Sequence, residues 1–99
     1  MVIVMGTVKL AADKLESAMP AMRRMVAASR AEPGCIAYAY AQDLLDPATM
    51  HVAEQWQDRA ALTEHFATAH MAEWRGAMGQ LGLTGRDLRV FEADEGTTI

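Results

Sequence analysis

Glu54, Trp56, His65 and His70 fall within one short stretch of the chain, and their types are those that move protons and hold rings. Met50, Val52, Glu54 and Trp56 share one face if the stretch from Met50 is a strand. A carboxylate on so apolar a face needs a partner or a raised pKa. Glu54 can therefore act as a base or accept a structural hydrogen bond. Among unperturbed side chains only histidine titrates near neutrality, which makes His65 and His70 candidate general bases. His65, shortly past the strand end, is the preferred one, with a plain helix-surface position as the alternative. The two histidines are five positions apart and do not share a face of a continuous helix. A zinc pair of the His-Glu-x-x-His kind is absent, and no metal site is expected.

Other residues carry less. Arg75 can stabilise a developing oxyanion or lie exposed on a helix. His51 is on the strand face opposite Glu54. Tyr38 and Tyr40 share a face of a second strand, as tyrosines on half-buried strands commonly do. Cys35, just after Pro33-Gly34, reads as a small buried residue because no activating neighbour is evident. As the single cysteine it forms no intramolecular disulfide, which fits a reducing compartment.

The elements that must position these groups can be read in order. Val2 to Leu10 is β-branched and apolar on both faces, a strand expected to be buried on both sides, with Gly6 marking a kink, bulge or close approach. Asp13 with Glu16 is a capping box for a helix in which Leu15, Met19, Met22 and Val26 form a stripe through Arg30. Pro20 predicts a kink or a later start. Glu32-Pro33-Gly34 is a turn. Cys35 to Gln42 alternates small residues, suited to lie under a helix, with Ile36, Tyr38 and Tyr40. The loop Asp43 to Ala48 leads to the strand Met50 to Trp56, which makes a hairpin. Asp58 caps a helix over Ala60 to His65, with Leu62 and Phe66 on one face. The helical pattern resumes at Thr68 and runs through Met71, Trp74, Met78 and Leu81 until Gly79 and Gly82 end it. Asp87 to Ala93 alternates as a last strand, and residues 94–99 form a polar tail.

Strand, helix, strand, strand, helix, strand is the α+β, ferredoxin-like βαββαβ order: an antiparallel sheet with two helices on one face. Residues 1–99 make one domain. The apolar outer face then needs a cover, and a second copy is the simplest one, giving a dimeric α+β barrel around a cavity. The composition, 52% hydrophobic and 22% charged, is that of a folded chain. A net charge of -4 argues against nucleic acid or an anionic membrane as partner. Lys9 interrupts the first apolar run, and no run approaches the roughly 20 residues of a membrane helix. A cytoplasmic protein is the expectation.

At Glu32-Pro-Gly-Cys35, Asp46-Pro47, Glu54-x-Trp56-x-Asp-x-Ala-Ala-Leu62-x-x-His65 and His70-Met the chain resembles the antibiotic biosynthesis monooxygenase family. The resemblance implies a dimeric α+β barrel. For many members it also implies a cofactor-independent monooxygenase that oxidises a phenol or quinol with O₂, the substrate supplying the electrons. On that implication His65 or Glu54 is the catalytic base, while Trp56, Tyr38, Tyr40, His70 and Arg75 contact a small aromatic substrate. Other members isomerise a small phosphorylated diketone, and the same barrel also suits a noncatalytic binding protein. The haem-degrading branch fits poorly: its histidine ligand position falls near Arg75, and the first strand has no asparagine.

Overall fold

The computed structural model describes residues 1–99. Four strands, β1 (Val2–Leu10), β2 (Cys35–Gln42), β3 (Thr49–Trp56) and β4 (Leu83–Glu92), form one antiparallel sheet in the order β2-β3-β1-β4. Three helices, α1 (Leu15–Arg30), α2 (Arg59–Phe66) and α3 (Ala69–Met78), cover one of its faces. This is the ferredoxin-like α+β arrangement predicted from the element order. The second helical element is divided, however, and β4 begins four residues before the expected Asp87. None of the helices is long and apolar enough to cross a membrane.

The core lies between sheet and helices. Val2, Val4, Val8 and Leu10 of β1, Tyr38 of β2, and Met50, Val52 and Trp56 of β3 point into it. They meet Ala18, Met22 and Met25 of α1, Leu62 of α2, and Met71 and Trp74 of α3. Within one chain β1 is therefore buried on one side only, since Met5 on its other side is 54% exposed.

Several local expectations change. Asp13 caps nothing: it sits in a short 3₁₀ turn, Ala12–Lys14, and α1 starts at Leu15 without a side-chain cap. The α1 helix runs through Pro20, so the later start is not what the chain adopts. Proline removes the bond to the Glu16 carbonyl, but Glu16 and Pro20 are both exposed, so water can take the missing donor's place. The buried line of α1 is Ala18, Met22, Met25 and Ser29; Leu15, Met19 and Val26 flank it half-buried. Gly6 marks a close approach: a Cβ there would lie 1.9 Å from the Asp87 carbonyl oxygen of β4, and the β1–β4 register shifts just beyond, between Thr7 and Lys9.

The two faces of β2 are the reverse of expectation. Tyr38 and Tyr40 turn toward the helices, opposite Glu54 and Val52 of β3. Ala37, Ala39 and Ala41 face away from them, and a register shift after Cys35 separates that residue from the alanines. Phenol rings remove more apolar area from water than methyl groups do, so they take the side where helices can cover them.

Candidate active site

Two turns bring the candidate residues together. The first, Glu32-Pro33-Gly34, follows α1 and presses on α2: Gly34 is so close that a Cβ would lie 2.4 Å from that of Ala61. The Gly34 carbonyl also accepts the Gln57 N–H at 2.9 Å, and Asp58, as predicted, caps α2 by accepting the Ala61 N–H at 2.8 Å. The second turn is the break between α2 and α3. There the Thr68 hydroxyl donates to the His65 carbonyl at 2.7 Å and accepts the Met71 N–H at 3.3 Å. One side chain thus satisfies the end of one helix and the start of the next.

Both turns converge on Glu32. Its Oε2 accepts from His65 Nδ1 at 2.6 Å and from His70 Nε2 at 2.8 Å. The five-residue spacing separates the two histidines only on a continuous helix, and the break at Thr68 removes that condition. A carboxylate accepts, so the His65 proton sits on Nδ1 and the lone pair on Nε2, which bonds to no protein group. Burial lowers the His65 pKa, the Glu32 hydrogen bond and charge oppose that shift, and His70 and Arg75 add to it. The net effect is a neutral, oriented imidazole at neutral pH.

A cavity of about 290 Å³ lies between the sheet and the α2–α3 pair. Of the residues singled out from the sequence, His65, Glu54, Tyr38, Tyr40 and Arg75 all line it. Trp56 does not. It is fully buried, donates from Nε1 to Glu54 Oε1 at 2.9 Å, and packs on His65 with ring centroids 4.5 Å apart. His70 does not line the cavity either; it borders a separate cleft between α1 and α3. Trp74 takes the aromatic place on the cavity wall, edge-on to Tyr40 at 6.3 Å.

Burial raises the pKa of Glu54, while the Trp56 hydrogen bond and the Arg86 charge act against that rise. Burial, with Glu54 nearby, raises the pKa of both phenols, so Tyr38 and Tyr40 stay protonated. Burial also raises the Cys35 thiol, aided by Glu32 and Glu54, which leaves it a poor nucleophile. His51 lies on the outer face, paired with Asp43 Oδ2 at 2.6 Å. Arg75, largely exposed, donates to the Phe66 carbonyl at 3.1 Å and so fastens the end of α2 while bordering the cavity.

The whole of this frame up to the α3 end falls within a known family: residues 1–77 match the model of antibiotic biosynthesis monooxygenases. The chain belongs to that family. A Deinococcus radiodurans protein, whose name proposes the same monooxygenase activity, has a crystal structure similar to this one, with a TM-score of 0.90 and 27% identity over 100% of this chain and 98% of that one. A Bacteroides thetaiotaomicron protein of unknown function, with oxidoreductase suggested in its name, is similar at a TM-score of 0.80 and 28% identity over 93% of this chain and 96% of that one. In sequence, an uncharacterised protein of Synechocystis sp. is 29% identical over 99% of this chain and 67% of its own length.

Two members of the cavity site and one of its supports escaped the sequence reading. Glu32 was visible in a turn and in the family motif but not as a histidine partner, because its partners lie 33 and 38 positions away and no local pattern links them. Trp74 was legible only as one apolar position of the second helical pattern, and Arg86 gave no signal apart from residue type; Arg86 stands near the start of β4, which alternation placed too late.

Proposed function

We propose that this family member is a cofactor-independent monooxygenase for a small phenol or quinol, with His65 as the base. The observation that carries the proposal is the His65 imidazole, buried on the cavity wall with Nδ1 tied to Glu32 and Nε2 free. In this reading the substrate O–H bond breaks as an N–H bond forms at His65 Nε2. The resulting phenolate passes electrons to O₂; one oxygen atom enters the substrate and the other leaves as water. All the electrons come from the substrate, so the protein's work is desolvation, orientation and charge stabilisation. Arg75 and Arg86 border the cavity where negative charge develops, and Tyr38 and Tyr40 remain hydrogen-bond donors for the oxygen of the ring. An apolar cavity of about 150 Å³ accepts benzene. A space of about 290 Å³ is therefore matched to a small aromatic molecule and not to a large polycycle.

The outer sheet face supports a homodimer with its sheets packed face to face. Met5 and Phe91 stand 54% and 47% exposed there, beside the short side chains of Ala37, Ala39 and Ala53. The two cavity arginines also favour a second reading, a proton-transfer isomerase for a small phosphorylated diketone, with the same base. Oxygen consumption separates the two. Purified protein with a panel of small quinols, without added metal or flavin, is expected to take up O₂ above the spontaneous rate. His65→Ala is expected to lower that uptake at least a hundredfold, the usual contribution of a general base being about 10²–10⁴. Uptake unchanged in His65→Ala would remove the base, and none with any quinol would move the assignment to the isomerase.

A further inference from the structure

Glu32 stands between two imidazoles that face different spaces. His65 is 1% exposed and borders the cavity. His70 is 24% exposed and borders a cleft of about 190 Å³ between α1 and α3, beside Arg24 and Glu73. Both share the single oxygen Oε2, at 2.6 and 2.8 Å. One carboxylate in a poorly solvated site neutralises one imidazolium well and two badly.

We propose that His70 is the proton-exchange partner of His65, coupled to it through Glu32, so that proton uptake inside the cavity is balanced by proton release at the α1–α3 cleft. The proposal rests on His65 being the base. When the substrate O–H bond breaks, the new N–H bond forms at His65 Nε2, and the Nδ1–H stays shared with Glu32. A proton on His70 Nδ1, the nitrogen not bonded to Glu32, leaves to water. No electrons move, and the summed charge of the three side chains is the same before and after. Glu32 Oε2 then faces one imidazolium, that of His65 beside the substrate anion, instead of two. His70 is thus a positioning and exchange residue that never touches the substrate.

The surroundings of His65 agree. Charged or titratable groups near it are Glu32, His70 and Arg75, and around the cavity Glu54, Tyr38, Tyr40 and Arg86. Of these, only Glu32 hydrogen-bonds to the ring. The same three side chains have donor atoms within 4.8 Å of one another and so invite a metal-site reading. Ligands about 2.1 Å from a tetrahedral zinc ion stand about 3.4 Å apart. Separations of 2.6 and 2.8 Å are those of hydrogen bonds. Proton exchange is the better match.

Imidazole ¹⁵N NMR over a pH series tests the coupling without any substrate. In the unaltered protein His65 and His70 are expected to titrate in two shared steps, each reporting on both rings. In His70→Gln, whose amide can still donate to Glu32, the His65 curve is expected to become a single step, its midpoint about one pH unit higher; His70→Asn provides a second variant. A His65 curve that superimposes on that of the unaltered protein in a folded variant would sink the proposal. So would stoichiometric zinc binding that shifts both rings and is lost in His70→Gln, which would make the cluster a metal site. Coupled titration with no oxygen uptake from any quinol would retain the exchange and remove the oxygenase reading. Where uptake occurs, His70→Gln is expected to displace its pH profile while His65→Ala abolishes the activity. An unmoved profile would overturn the exchange.

Discussion

Glu54 shows how one buried group ties stability to chemistry. Its pKa is raised mainly by burial, so the folded chain holds that proton more firmly than the unfolded one, where the value is near 4.5. The stabilising contribution is therefore complete below the unfolded value and is lost as pH rises through the folded one. Above the folded value, the ionised buried carboxylate is a cost. Glu54→Gln keeps an oxygen for the Trp56 Nε1–H and carries no charge. It is expected to raise stability at pH 7 and to change it little at pH 4, the direction set by the raised Glu54 pKa. Urea unfolding at the two pH values measures this; equal differences at both would show that desolvation is not the cause. Strand alternation was enough to put Glu54 and Trp56 on one inward face. It could not reveal that Trp56 would bond Glu54 and pack on His65, because that depends on how deeply α2 sits over the strand.

The break between α2 and α3 controls the site at the level of elements. Thr68 bonds to both helices, and the turn it makes returns His70 to the carboxylate that already holds His65. Thr68→Ala is expected to cost about 1 kcal/mol, as loss of an N-cap usually does. It should also separate the His70 resonance from any response to Glu32, and Thr68→Ser should restore both. Loss of stability with the two histidines still sharing Glu32 would show that the cap is not what aims His70. The interrupted apolar pattern around Thr68 was readable from the chain, as were the Asp58 cap and the first three strands, while β4 was placed four residues late. The inverted faces of β2 were not. Alternation states that Tyr38 and Tyr40 lie together, but only the space left beneath α2 and α3 determines that their side is the covered one.

The whole molecule leaves its outer sheet face open, with Met5, Phe91 and the alanines of β2 and β3 on it. If two copies close over this face, Met5→Glu with Phe91→Glu should convert a dimer to a monomer in sedimentation velocity, since a charge buried at a sheet interface lacks a partner. A single chain mass for the unaltered protein, independent of concentration, would disprove the dimer. Period-two and helical patterning are local, so the chain by itself determined the strand order and the ferredoxin-like arrangement, with the second helical element divided in two, and pointed to the stretch from Glu54 to His70 as the candidate site. Contacts between distant residues obey no such pattern. Packing of the Glu32 turn against α2 and of α3 against α1 joined residues 32, 65 and 70. That packing gave a fixed orientation to a histidine whose neighbours in sequence offer it no partner.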